Sequence, residues 1–143
     1  DAALRAVCVP VTVFDDALAD LSKEMFAAMY AAPGRGLAAP QIGVLQRIFV
    51  TDVTWKTGEG TPRVFVNAEI VRSNVALAVN DESCLSIPML TVAVPRPRDV
   101  LLRWQDLDGV AHTELFDGTA AVIVQHERDH LDGILCTDYA RIM

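Results

Sequence analysis

His126, Glu127 and His130 are the residues whose types and spacing best suit chemistry, in the run His126-Glu127-Arg128-Asp129-His130. On a helix, side chains four apart project from one face, so both imidazoles can reach a single ion. Glu127 stands beside them, placed to act as general base on a water held by that ion, as in the His-Glu-x-x-His hydrolases. A structural alternative stands next to this reading. Three fixed positions in five recur by chance, and a lone buried His is more often a hydrogen-bonded core residue than a ligand. Two His and a Glu just after an apolar run fit a purely structural face less well, because each would cost free energy unless paired.

A catalytic site of this kind takes three protein ligands and keeps one position for water. The chain has three cysteines, and two of them are candidates for the third ligand. Cys136 lies six residues after His130 with Gly133 between them, the spacing of the longer His-Glu-x-x-His-x-x-Gly-x-x-His motif with Cys in the last place. Only seven residues follow Cys136, however, so the downstream support of that motif is missing. Cys84 is the distant candidate, in the polar segment Glu82-Ser83-Cys84-Leu85-Ser86. Spacing favours Cys84 only modestly. All three cysteines, including Cys8, also suit small buried apolar positions.

These side chains need elements to hold them. Thr119 to Asp132 reads as a helix, with Ala120 to Val124 apolar, Asp117 as N-cap and Gly133 as the stop. Asp16 to Ala31 reads as an amphipathic helix, with Leu18, Leu21, Met25, Ala28 and Met29 on one stripe. The run Pro33-Gly34-Arg35-Gly36 ends it. Arg47 to Val53, Arg63 to Asn67 and Glu69 to Val71 read as strands, and Thr54 to Pro62 as a polar loop. Asp81 to Pro88 reads as irregular, and Thr91 to Val94 as extended until Pro95 and Pro97 interrupt it. Val100 to Trp104 and Val110 to Leu115 flank Asp108-Gly109, a hairpin signal. With no repeated βαβ unit, the order favours an α+β fold of mainly antiparallel strands around a central metal-binding helix.

The 143 residues, 52% of them hydrophobic and 22% charged, suit one globular domain spanning 1–143. The formal charge of −7 and the scattered arginines make nucleic acid unsuited as the main ligand. No apolar run approaches the ~20 residues that cross a bilayer, so no membrane partner is expected. An odd, low cysteine count points to a reducing compartment. Asp1 in place of Met is what a processed or trimmed chain would show.

Three separated segments resemble the peptide deformylases, in that family's order. Gly34-Arg35-Gly36-Leu37-Ala38-Ala39-Pro40-Gln41-Ile42-Gly43 looks like its Gly-apolar-Gly-apolar-Ala-Ala-x-Gln motif. Glu82-Ser83-Cys84-Leu85-Ser86 is similar to Glu-Gly-Cys-Leu-Ser, and Gln125-His126-Glu127-Arg128-Asp129-His130 to Gln-His-Glu-x-Asp-His. Compared with the family's pattern, the start is short of a first strand common in the family, and the end stops near Asp138-Tyr139 where many members continue into a helix.

The resemblance implies hydrolysis of the N-terminal formyl group of new polypeptides, with release of formate. It implies Cys84, His126 and His130 as ligands of one divalent ion, typically Fe²⁺ in the cell, with Zn²⁺, Ni²⁺ or Co²⁺ able to replace it in purified protein. It decides against Cys136. Glu127 is implied as the base, and the Gln41 amide and the Leu85 backbone N–H as oxyanion donors. Gly36 is implied to pair through its backbone with the extended substrate, a missing side chain permitting close approach. Val122, Ile123 and Ile87 are the candidates for lining the pocket of the substrate methionine, against the alternative that they are ordinary core. Formylated nascent chains are the implied partners, with transient ribosome contact, in cytoplasm or an organelle matrix.

Three positions depart from the pattern. Ser83 stands where glycine is usual, Arg35 where relatives carry an apolar residue, and Thr91 where many bacterial members place arginine. Ser83 would be strained if its backbone needed a glycine-only angle. Arg35 could alter peptide selection or meet an acidic group. The rival functions are a metalloprotease built on Cys136, a related hydrolase with another amide substrate, and a metal-binding module without catalysis.

Overall fold

The computed structural model describes residues 2–74, 76–84 and 87–139, and the side chains of these except at 2, 84, 87–90, 137 and 139. Helix α1 (Asp16–Ala31) starts at Asp15, whose carboxylate accepts from Leu18 N–H at 3.1 Å. Its stripe turns Leu18, Met25 and Met29 fully inward, with Leu21 and Ala28 half-buried beside them.

Strands β1 (Gly36–Ala38), β2 (Ile48–Thr51) and β3 (Arg63–Ser73) pair antiparallel. Strands β4 (Leu77–Cys84) and β5 (Ile87–Pro97) form a separate two-stranded ribbon. Strands β6 (Asp99–Gln105) and β7 (Ala111–Asp117) complete a five-stranded sheet in the order β1-β2-β3-β6-β7. Helix α2 (Gly118–Leu131) and the short α3 (Cys136–Tyr139) follow. The architecture is α+β and antiparallel, as the order of elements predicts.

The sheet is covered on both faces. Alternation along β2 sends Ile48 and Val50 toward α1 and Phe49 toward α2, so all four of its residues are buried. On the α2 side Phe49 stacks on Phe65 at 4.7 Å, and Trp104 and Phe116 close around Phe65. Ala121, Val124 and Leu131 of α2 pack onto this aromatic group. The last turn of α2 is tied down by Arg47, which donates to the Leu131 carbonyl at 3.2 Å and pairs with Asp132 at 3.0 Å. Gly133 takes φ +73°, and a Cβ there would collide with the Arg5 carbonyl, so helix and chain start fit only around glycine.

Several sequence expectations are corrected. Asp117 occupies the N-cap of α2 with extended backbone, but its side chain makes no capping bond. The two strand pieces around Asn67 are one strand with a bulge between Val66 and Glu69. Asn67 sits there at φ 52°, its side chain bonded to the Val11 N–H and carbonyl at 2.8 Å each. Asp81–Cys84 and Ile87–Pro88 are not irregular, because β4 runs through Cys84 and β5 begins at Ile87; Leu85 and Ser86 lie outside the described residues.

Strand β4 escaped detection because its inner face holds Asn80 and Glu82 while Leu77 and Val79 face outward, whereas Thr91–Val94, expected to be extended, lies within β5. Pro95 and Pro97 do not interrupt β5, and Arg98 N–H donates to the Ala76 carbonyl at 3.0 Å. Two residues apart, the prolines place their missing donors on the edge turned away from β4.

Candidate metal centre and active site

Helix α2 delivers His126 and Glu127 to a cleft of about 200 Å³ bounded by β1, the ribbon and the 53–62 loop, with His130 converging on them from the next turn. One donor atom from each lies within 4.8 Å of the others. The imidazole centroids are 5.2 Å apart at 65°, the convergence that spacing of four predicts. All three are buried, His130 to 1% exposure and Glu127 to 6%.

Burial sets the proton states. It pushes His130 down to about 3, with the His126 and Arg96 charges adding to the effect, so this imidazole is neutral and offers a lone pair near pH 7. It pushes the Glu127 carboxyl up to about 7, against the pull of the His126 and Arg96 charges. Glu127 Oε1 is buried with no hydrogen-bond partner among the described residues. Two imidazoles converging beside a carboxyl oxygen without a partner make a donor set suited to a divalent cation.

His126 Nδ1 lies 2.8 Å from Glu82 Oε1, so the opposite nitrogen, Nε2, is the one able to bind an ion. Glu82 also accepts from Arg96, Nε to Oε2 at 2.6 Å and Nη2 to Oε1 at 2.8 Å. Burial alone would raise the Glu82 carboxyl; the hydrogen bonds from His126 and Arg96 and their charges outweigh it and hold it below the ordinary range. Arg96 Nη1 reaches Asp129 Oδ2 at 2.9 Å. Sequence reading missed roles for these residues. Glu82 and Asp129 were visible only as motif letters, and Arg96 only as a scattered cation.

The remaining candidates divide. Gly36, Arg35, Gln41, Val122 and Ile123 all line the cleft. Gln41 lies in the 3-10 turn Ala39–Ile42, and its Oε1 accepts from Ala38 N–H at 2.9 Å, which makes the NH₂ end the donor. Gly36 is in the edge strand, and a Cβ there would come 2.7 Å from Glu127 Oε2 and 3.0 Å from Ile123. The missing side chain thus makes room for the base itself.

Cys84 is the last residue of β4, while its side chain, the Ile87 side chain and all of Leu85 lie outside the described residues. Cys136 is buried against Val94 and Val92 and is not in the convergent donor group. Ser83 is exposed, pairs with Thr91, and does not take positive φ, so the feared strain is absent.

The family model described as Polypeptide deformylase matches residues 1–142. The chain belongs to the polypeptide deformylase family. The peptide deformylase of Afipia carboxidovorans is 45% identical over 139 residues, covering 97% of this chain and 81% of that one. The Novosphingobium aromaticivorans peptide deformylase is 40% identical, covering 97% and 84%. The Thermotoga maritima peptide deformylase structure superposes at a TM-score of 0.92 with 38% identity, covering 97% and 91%. The Plasmodium falciparum enzyme superposes at 0.94 with 36% identity, covering 97% and 81%. As a peptide deformylase, this chain is a metal-dependent hydrolase that removes the formyl group from the N-terminus of nascent polypeptides.

Proposed function

We propose that residues 1–143 act as one catalytic domain in which Cys84, His126 and His130 hold a single divalent ion, Fe²⁺ in the cell, and Glu127 is the general base. The observation that carries this reading is the buried Glu127 carboxyl group beside two convergent imidazoles, with Glu127 and His126 lining the cleft. A thiolate with two imidazoles suits several ions, so Zn²⁺, Ni²⁺ or Co²⁺ can substitute in purified protein. When bound, the ion supplies Lewis acidity and a hydroxide near neutral pH.

The chain's own residues do the rest. Glu127, with its carboxyl near 7, takes the proton from the attacking water and returns it to the departing amine. The Gln41 NH₂ and the Leu85 backbone N–H are the donors for the formyl oxyanion; removing one such donor costs ~10²–10³ in rate. The outer edge of β1 pairs with the extended substrate at Gly36. Val122, Ile123 and Ile87 take the methionine side chain. Arg35 shifts preference beyond the first residue. Formylated nascent chains are met in the cytoplasm or an organelle matrix, with at most transient ribosome contact.

Formate release from a formyl-Met tripeptide by protein loaded with Fe²⁺ without oxygen, against Glu127→Ala, tests the assignment. Fast release that disappears in the variant supports it. Release that survives in Glu127→Ala removes Glu127 as the base.

A further inference from the structure

Arg96 is buried to 3% exposure, yet it lies on the ribbon rather than on the helix that bears the histidines. Its guanidinium is engaged on three sides. Nε and Nη2 grip the two oxygens of Glu82 on β4, and Nη1 holds Asp129 on α2. Taking such charges out of water costs several kcal/mol per ion, and hydrophobic replacements often serve stability as well or better. A planar fork held by two carboxylates has one orientation, and it hands that orientation to its partners.

Two consequences follow. The Glu82 carboxylate cannot rotate, so Oε1 stays aimed at His126 Nδ1. The Asp129 arm fixes the ribbon, whose β4 ends at Cys84, against the helix that bears His126 and His130.

We propose that Arg96 is a positioning residue of the metal centre: through Glu82 it holds His126 in the Nδ1–H tautomer, and through Asp129 it sets the spacing between ribbon and helix. This rests on the metal-site reading above. A mere structural staple would lower stability when removed without changing the tautomer or the metal affinity.

The test uses the full chain as wild type, Arg96→Lys and Arg96→Met, with Val94→Ala as a variant that weakens the buried ribbon contact without touching the network. Long-range ¹H–¹⁵N NMR of metal-free protein reads the His126 tautomer, and competition with a chelator reads Zn²⁺ affinity. The expected result is a pure Nδ1–H tautomer in wild type, mixed tautomers in both Arg96 variants, and affinity losses of ~10–100-fold. Arg96→Lys should fall between wild type and Arg96→Met, because an ammonium lacks the fork that reaches both carboxylates. Val94→Ala should keep tautomer and affinity.

An unchanged tautomer and affinity in folded Arg96→Lys overturns the proposal, even if Arg96→Met fails to fold. If wild type binds no Zn²⁺, the metal-site reading fails, and the tautomer, read without metal, still decides whether Arg96 orients His126.

Discussion

Gly36 and Glu127 are fitted to one another: a Cβ on the glycine would lie 2.7 Å from the carboxylate Oε2 and 2.9 Å from its Cγ. Edge strand and catalytic helix therefore meet at a contact that admits no side chain. Gly36→Ala should shift the carboxylate by a few tenths of an ångström or more and lower kcat by ~10–100-fold with the fold retained. Formate release together with thermal melting checks this, and unchanged kcat in the folded variant would show that Glu127 needs no such fit.

Glu127 also predicts a pH-dependent stability. Its folded value is about 7 against an ordinary 4.5, so the folded state binds the extra proton between these values. Stability of metal-free protein therefore falls as pH rises from 4.5 to 7, with no cost below that window and the full cost above it. Glu127→Gln removes the effect. Its advantage over wild type in metal-free melts should be near zero at about pH 4 and reach at most about 3 kcal/mol at about pH 8. Activity should fall ~10²–10⁴-fold in the same variant. A pH-independent stability difference would contradict the buried, elevated carboxyl.

Cysteine replacement separates the ligand candidates. Cys136 is packed against Val94 and Val92, so Cys136→Ser should retain one metal per chain and lose about 1–3 kcal/mol of stability. Cys84→Ser should lose the metal under the same dialysis. The reverse pattern would reassign the third ligand and favour the protease-like motif.

Arg35 and Lys56 both line the cleft, and Lys56 Nζ is held by the Pro33 carbonyl at 2.9 Å. Formyl-Met peptides with an acidic residue downstream should be favoured over basic ones by about 2–5-fold, in a salt-sensitive way, as exposed charge pairs allow. Arg35→Ile should shrink that ratio. Equal ratios across a peptide panel for wild type and variant would remove Arg35 as the cause.

The two long helices were legible because α1 obeys helical periodicity from Asp16 to Ala31 and α2 ends at a glycine with positive φ. The β6–β7 hairpin was legible from Asp108-Gly109, with Gly109 at φ +82°. Of the ribbon only Thr91–Val94 was legible, since polar residues turned inward along β4 invert the pattern that marks a strand. That inversion is the same fact as the buried Glu82–Arg96 pair. His126, Glu127 and His130 were readable from spacing alone, whereas the partners that orient them come from three elements and meet only in the fold.

The ribbon shares no ladder with the five-stranded sheet among the described residues, and the cleft lies along their junction. Cooperative units bounded in this way open with their own free energies, so amides of β4 and β5 should exchange with solvent independently of those in β2 and β3. An occupant touching both walls then acts as a clasp between two units of folding. It should slow exchange in the ribbon far more than in the sheet, making substrate binding legible as local protection without any visible movement of the backbone.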